Sequence, residues 1–208
     1  MQKIAGSNIS ALIFLWLQNQ VFYRTLQANV LESIPQTTTD KVWADIGCST
    51  GLITRLAQTK GYRVTGYDLN AFSLFIAKVL SYFQNNLTYK HQDFFTITEK
   101  FDVISATSLL SVIDDESKAL ASLVSLLKDD DSVLVIIEPT EKMSLNNVYA
   151  LIDGIKSWWF YKGLLLWAKA REGKHINPTL FDNLGGLKFS QKIYLDGMVC
   201  VTYLNKRD

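Results

Sequence analysis

A short loop that contains two glycines is the strongest indication of chemistry in this sequence. Residues 45–51 read Asp-Ile-Gly-Cys-Ser-Thr-Gly and stand where an apolar run changes into a helical pattern. Glycine lets the backbone bend sharply and lets a ligand approach the main chain closely. In open α/β sheets, ligands bind at this position, beyond the carboxyl end of a strand. The loop predicts a ligand site, and a tight turn that merely contains two glycines is the alternative.

Acidic residues after two later apolar runs point to the same edge of the sheet. Asp68 ends the next run, at a spacing where an acid accepts hydrogen bonds from ribose hydroxyls in nucleotide-binding sheets. Asp93 and Phe94 follow the run after that. A carboxylate can accept a hydrogen bond from an adenine amine, and an aromatic ring can cover the face of a base. Together with the glycine loop, these residues predict a ligand that contains a nucleoside.

The segment between residues 41 and 139 supplies the elements that must position these side chains. Short apolar runs alternate there with helical stretches, which is typical of strand-helix-strand units on a parallel sheet. The predicted strands are 41–46, 63–67, 87–91, 101–105 and 132–137, and the predicted helices are 52–60, 71–83 and 116–127. The fold class is therefore predicted to be α/β with a doubly wound sheet.

Helical patterns flank this core on both sides. Residues 8–34 carry apolar side chains at helical spacing, which predicts one or two helices over the sheet or its cleft. Residues 147–170 are helical and rich in tryptophan, and Asn177-Pro178 and Gly185-Gly186 suit the two ends of one more short helix. Asp196-Gly197 joins the runs 189–195 and 198–204 and predicts a hairpin.

Size, charge and cysteine content limit the class of protein. The 208 residues are enough for one substantial core, and the 21 basic and 20 acidic residues nearly cancel, which disfavours nonspecific nucleic-acid binding. Two cysteines are too few for a secreted disulfide framework, no signal-peptide pattern is found, and the apolar run 11–17 is too short to span a bilayer. We expect one cytoplasmic domain over residues 1–208, with 40–140 as the cofactor-binding core and 1–35 and 141–186 as helical caps.

The ordered combination of these motifs resembles one known family. The loop 45–51, Asp68, Asp93-Phe94, the stretch 101–110 and Glu138-Pro139 look together like the class I S-adenosylmethionine-dependent methyltransferases that act on small molecules. The resemblance covers residues 40–140, and the C-terminal hairpin resembles the antiparallel sixth and seventh strands of that fold. It implies a Rossmann-like seven-stranded sheet, S-adenosylmethionine as the cofactor, and methyl transfer as the reaction.

The resemblance also implies roles for individual residues. The methionine and ribose portion of the cofactor would be lined by Asp45, Gly47, Cys48, Ser49 and Gly51. Asp68 would hold the ribose hydroxyls with Leu69 against the adenine, Asp93 would meet the adenine amine beside Phe94, and the main chain of Ala106 and Thr107 would reach the methionine amine. Two positions depart from the family: Ser49 replaces a common middle glycine, which we expect the site to tolerate, and Ser111-Val112 replace a frequent Glu-His pair.

The expected chemistry needs few catalytic side chains. A sulfonium already carries an activated methyl group, so the protein has mainly to align the acceptor and exclude water. A general base is needed only if the acceptor keeps its proton until the transition state. Residues 105–108 read Ser-Ala-Thr-Ser. This stretch does not resemble the motifs of nucleobase methyltransferases, and it lacks the metal-binding aspartate of catechol-type enzymes. We therefore expect a small, apolar or aromatic acceptor, with neither nucleic acid nor metal.

Two C-terminal features allow more than one interpretation. His175 stands in a segment that resembles the border of the acceptor pocket in many small-molecule methyltransferases, so it is the candidate catalytic residue, with a structural role as the alternative. Trp158 and Trp159 fit a buried helix, a lid over an apolar acceptor pocket, or a helix at a membrane surface. The near-neutral charge disfavours the membrane interpretation.

Two other functional classes compete with methyl transfer. A nicotinamide-dependent oxidoreductase needs a glycine fingerprint whose spacing residues 47–51 lack, and it has no use for Asp93-Phe94. A noncatalytic module that binds S-adenosylmethionine, as a partner subunit or a sensor, stays as the alternative because intact cofactor residues do not prove turnover. The sequence makes no prediction of the oligomeric state.

Overall fold

The computed structural model describes residues 8–153, 161–182 and 187–205, and its centre is one seven-stranded sheet. The strands are β1 Val42–Ile46, β2 Arg63–Asp68, β3 Leu87–His91, β4 Val103–Thr107, β5 Val133–Pro139, β6 Lys188–Tyr194 and β7 Val199–Asn205. Their order is β3-β2-β1-β4-β5-β7-β6. Strands β1 to β5 are parallel, whereas β7 is antiparallel to both β5 and β6. The predicted doubly wound sheet with an antiparallel C-terminal hairpin is confirmed.

Helices cover both faces of the sheet. They are α1 Asn8–Gln18, α2 Val21–Glu32, α3 Leu52–Gln58, α4 Ala71–Leu80, α5 Glu116–Ser125, α6 Leu145–Ile152 and α7 Lys162–Arg171. Apolar side chains of α2, α3, α6 and α7 form one hydrophobic core on the sheet, and α5 contributes to a second core on the opposite face. The alternation of short apolar strands with amphipathic helices produces this layered arrangement, because each helix has one apolar stripe along its surface and buries that stripe against the sheet.

The predicted N-terminal and post-β5 helices are present, and the N-terminal pattern forms two helices. Gln20 leaves the helical region of backbone space, with φ −70° and ψ 138°, and so separates α1 from α2. The stretch predicted as helical over 147–170 contains α6 and α7, and residues 154–160, with Trp158 and Trp159, lie outside the described residues. The short helix after Asn177 is confirmed as a 3-10 helix over Pro178–Phe181, and Gly185-Gly186 lies outside the described residues.

Several boundaries differ from the prediction by two or three residues, among them the start of β4 and the end of α4. β4 begins at Val103 instead of Phe101, because Phe101 bridges to Leu127 and the Asp102 carboxylate accepts a hydrogen bond from the Val42 amide at 2.8 Å. α4 ends at Leu80 instead of residue 83, and a turn follows. In the described ranges, no helix has the length and apolar character needed to cross a membrane.

The helices before and after the sheet core contact each other. Gly163 of α7 lies so close to the α1–α2 junction that a Cβ atom there would come within 2.7 Å of the Gln20 side chain. Trp167 of α7 is buried, and its ring meets the Tyr23 ring edge-on with centroids 5.1 Å apart. This contact joins α1, α2 and α7 near the carboxyl ends of the parallel strands.

Candidate functional site

The loop between β1 and α3 contains three residues in the left-handed backbone region. Gly47 and Gly51 have φ angles of 68° and 77°, and Ser49 has 49°. The Gly47 amide donates to the Tyr67 carbonyl at 2.8 Å, which ties the loop to β2. A side chain at Gly51 would clash, because its Cβ would lie 2.3 Å from the Tyr89 hydroxyl. Serine in the left-handed region costs roughly 1–2 kcal/mol, so the serine at position 49 is accommodated at the expense of backbone strain.

Asp68 connects this loop to the end of β2. Its Oδ2 accepts a hydrogen bond from the Ser49 amide at 2.8 Å, and its Oδ1 accepts one from the Asn70 amide at 2.7 Å. Burial raises the pKa of Asp68, and the backbone hydrogen bonds oppose that rise. The carboxylate is half-buried at the end of β2. Asp68 therefore holds the loop in place as well as facing the cleft.

A cleft with a volume of about 660 Å³ lies at the carboxyl ends of the strands. Gly47, Ser49, Asp68 and Thr107 line it together with residues of α1 and α7. Two smaller recesses adjoin it through shared lining residues. The predicted cofactor residues that line the cleft or its recesses are Asp45, Gly47, Cys48, Ser49, Asp68, Leu69, Asp93, Phe94 and Thr107. The fold thus brings together residues from four separate strand ends.

The first recess, of about 80 Å³, is an apolar slot with carboxylates at its rim. Leu69 and Phe94 form part of its wall, and Phe94 stacks on Phe95 with centroids 4.2 Å apart. Asp93 accepts a hydrogen bond from the Phe95 amide at 3.1 Å through Oδ1, which caps the short helix after β3. An apolar slot beside a carboxylate suits a flat heterocycle with an exocyclic amine.

Asp45 is buried beneath the second recess and is held by neutral donors. Thr54 donates to Oδ2 at 2.7 Å and Ser105 donates to Oδ1 at 2.9 Å, while the Trp43 indole donates to the Ser105 hydroxyl at 2.9 Å. Burial raises the pKa of Asp45 to about 6, because the low-dielectric surroundings disfavour the charged form. Asp45 therefore links β1, α3 and β4 directly behind the loop.

Among the predicted cofactor residues, Cys48 and Ala106 have buried side chains, and Gly51 has no side chain. The Cys48 thiol packs against Gly66, and burial raises its pKa well above the usual value, so it stays protonated. The Ala106 side chain belongs to the second core, which leaves only its main chain for a ligand. Gly51 is not among the residues that line the cleft, and its place is set by the Tyr89 contact described above.

The two histidines lie outside the cleft lining. His175 is exposed, and its Nδ1 lies 3.3 Å from the carbonyl of the next residue, Ile176. Lys174 lines the cleft, whereas His175 does not, and the catalytic role of His175 stays a prediction. His91 makes a structural contact, with Nε2 2.9 Å from the Leu69 carbonyl. In the described part of the chain, no group of three or more His, Cys, Asp or Glu residues is placed to hold a metal ion.

Sequence reasoning did not assign a role to two charged residues near the cleft, Glu138 and Arg171. Glu138 is buried at the end of β5, and its Oε1 accepts hydrogen bonds from the Leu109 and Leu110 amides, both at 2.7 Å. Burial raises its pKa to about 6. Arg171 of α7 lines the cleft, and the charge of Glu138 opposes the lowering of its pKa by burial. Glu138-Pro139 can be recognised in the sequence as part of the family resemblance, whereas no sequence pattern around Arg171 indicates that it reaches the cleft.

The N-terminal helix also reaches the site. Gln18 and Phe14 of α1, with Tyr23 of α2, line the second recess beside the loop. The Thr50 hydroxyl donates to the Gln18 side-chain oxygen, and both side chains are buried. This bond fixes α1 against the loop, so part of the site wall comes from outside the predicted core of residues 40–140.

Solved structures of methyltransferases share this fold. The plantazolicin methyltransferase BpumL in complex with SAH superposes with a TM-score of 0.67 at 13% identity, covering 94% of this chain and 89% of BpumL. The N-methyltransferase NodS from Bradyrhizobium japonicum WM9, in complex with S-adenosyl-L-homocysteine, gives 0.63 at 16% identity and covers 92% and 91%. A TehB-like SAM-dependent methyltransferase from Corynebacterium glutamicum gives 0.54 at 18% identity and covers 87% of each chain.

Sequence comparison identifies the family more directly than these distant likenesses. No curated protein matches the sequence. The family model described as "Methyltransferase domain" matches residues 17–183, a range that runs from α1 through the loop, all five parallel strands and α7. Since that range is most of the sequence, the chain belongs to the methyltransferase domain family.

Proposed function

We propose that this chain transfers a methyl group from S-adenosylmethionine to a small, apolar or aromatic acceptor by direct in-line transfer. The observation that carries the proposal is the position of Asp68, whose carboxylate is shared by the apolar slot and the large cleft. S-adenosylmethionine carries its reactive methyl group on a sulfonium between a nucleoside and an amino-acid portion, so its site needs a recess for the nucleoside that opens into a larger space.

The residues around Asp68 fit the parts of this donor. The slot walled by Leu69 and Phe94 suits the adenine, with Asp93 at its rim. On the other side of Gly47, the Thr107 hydroxyl is buried without a hydrogen-bond partner among the described residues and lines the second recess. An unpaired buried hydroxyl costs free energy unless a ligand or water pairs with it. We assign this recess to the amino-acid end of the donor.

The chain itself must orient the acceptor and exclude water. Bound S-adenosylmethionine supplies an electrophilic methyl group. Phe14 of α1, Val112 and Ile113 contribute apolar surface to the cleft, which excludes water from the reacting atoms. Ser111 and Arg171 add a few polar groups that can fix the orientation of an acceptor. The helices α1 and α7 act as caps over the 40–140 core in this proposal.

Binding and turnover are tested separately. Titration calorimetry should show binding of S-adenosylhomocysteine and S-adenosylmethionine and none of NAD. A screen of small aromatic and lipid-like acceptors should then show formation of S-adenosylhomocysteine. Tight binding with no turnover on any acceptor class would favour the noncatalytic module, and binding of NAD alone would refute the proposal.

A further inference from the structure

Exposed apolar side chains are concentrated on the outer surfaces of α1 and α4, which pack against each other. The α1–α4 apolar face consists of Ile9, Leu12, Ile13, Trp16, Phe75, Val79, Leu80, Tyr82 and Phe83. Phe83 is 93% exposed and Tyr82 is 80% exposed. Of the other described residues, only a few scattered large apolar side chains are exposed to a similar degree.

The face is organised and not a set of isolated apolar residues. Four of its members on α1 follow helical spacing, and so do Phe75, Val79 and Tyr82 along α4 and the turn after it. The Tyr82 and Phe83 rings meet edge-on with centroids 5.1 Å apart, and Phe75 stacks on Phe72 at 6.4 Å. Contiguous apolar surface of this kind marks a protein or membrane interaction site.

The charge around the face favours a membrane over a second copy of the chain. Residues 8–31 and 69–92 contain no aspartate or glutamate, although the whole chain carries 20. The charged residues in these two ranges are the basic Arg24, Lys78 and Lys90, and Lys90 is paired with Glu99 at 2.9 Å, which leaves Lys78 of α4 and Arg24 of α2 as the basic groups that count here. Basic side chains beside apolar surface attract anionic lipid headgroups, and Trp and Tyr favour the bilayer interface. A two-fold dimer through this face would bring like charges together.

We propose that the α1–α4 apolar face binds the surface of a membrane that contains anionic lipid. The residues of this face are not those of the Trp158-Trp159 segment, which was considered for membrane contact from the sequence and lies outside the described residues. The same two helices also contribute Ala11, Phe14 and Ser73 to the cleft. Helical spacing places these three residues on the sides of α1 and α4 that point away from the apolar face, so the face and the cleft are separate surfaces.

Vesicle flotation of the full chain tests the binding. We expect it to float with vesicles of equal parts phosphatidylglycerol and phosphatidylcholine, much less with phosphatidylcholine alone, and less at high salt. Phe75→Ser combined with Val79→Ser, which are 61% and 57% exposed, should weaken partitioning by about tenfold. Tyr149→Ser combined with Ile193→Ser, at 55% and 58% exposure, is the matched control and should leave partitioning unchanged.

Several results would overturn the inference. They are failure of the wild-type chain to float, equal flotation with both vesicle types, and unchanged flotation of the Phe75→Ser, Val79→Ser protein. A dimer seen by light scattering that this variant dissolves would assign the face to a second copy instead. Calorimetry with S-adenosylhomocysteine on the same samples tests the two proposals separately. If the wild-type chain does not bind S-adenosylhomocysteine, the methyl-donor proposal is refuted. The flotation result alone decides the membrane proposal.

Discussion

Replacement of Asp68 by alanine tests the junction at the centre of the proposed site. The carboxylate accepts hydrogen bonds from two backbone amides, those of Ser49 and Asn70, at 2.8 and 2.7 Å. Alanine leaves both donors without this acceptor, and an unsatisfied buried donor costs about 1–3 kcal/mol. Both bonds are only part-buried, so the lower end of that range applies to each. The variant also removes a carboxylate whose pKa is raised by burial, which offsets part of the loss.

We therefore expect Asp68→Ala to lower the free energy of unfolding by about 1–2 kcal/mol, which corresponds to roughly 2–8 °C in Tm for a chain of this size. Affinity for S-adenosylhomocysteine should fall further, by about 1.5–3 kcal/mol, because charge-assisted hydrogen bonds to the ribose are lost as well. That loss is about tenfold to about 150-fold in Kd. Thermal melting of the ligand-free protein and titration calorimetry measure the two effects separately.

Two further variants make the result interpretable. Asp68→Asn keeps one acceptor oxygen and should fall between the wild type and Asp68→Ala in both measurements. Asp40→Ala removes an exposed carboxylate whose ion pair with Arg63 spans 3.3 Å, and it should change neither stability nor affinity by more than about 0.5 kcal/mol. If Asp68→Ala binds S-adenosylhomocysteine as tightly as the wild type and melts at the same temperature, both roles given to Asp68 are wrong.

Three more predictions concern the loop and the buried carboxylates. Gly47→Val should abolish calorimetric binding of S-adenosylhomocysteine, because φ is 68° and the new Cβ would lie 3.2 Å from Leu109; retained binding would remove the loop from the site. Ser49→Gly should raise the free energy of chemical unfolding by up to about 1 kcal/mol, since it relieves left-handed strain at some entropic cost; a lower value would contradict the strain. Burial raises the pKa of Asp45 and Glu138 to about 6, above the unfolded values near 4, so the folded state binds more protons between these values and stability should rise as pH falls from about 7 to about 5.5. Melting scans across that range should show Tm rising as the pH falls, and Asp45→Asn should reduce this rise. A Tm that stays constant or decreases as the pH falls would mean that the carboxylates are ionised without penalty.

Local sequence patterns were sufficient for most of the secondary structure and for the family. The glycine loop, the acid at the end of β2 and the Asp196-Gly197 turn are short-range signals, because backbone conformation at these positions depends on one or two residue types. Gly197 and Asp196 have φ angles of 93° and 52°, as a tight hairpin turn requires. At the start of β4 a long-range contact sets the boundary, because the Asp102 carboxylate accepts a hydrogen bond from the Val42 amide across the sheet, and local spacing does not reveal such a contact.

The sequence by itself was enough to predict which segments form the strands, which loop approaches a ligand, and which family the chain belongs to. Only the tertiary structure decided which groups pair: that Asp68 holds the Ser49 amide, that Arg171 reaches the cleft and that His175 does not line it. Helical spacing showed which residues of α1 and α4 share a face, but not that this face is left uncovered. These outcomes depend on contacts between residues far apart in the chain, and local spacing carries no information about which distant element packs where.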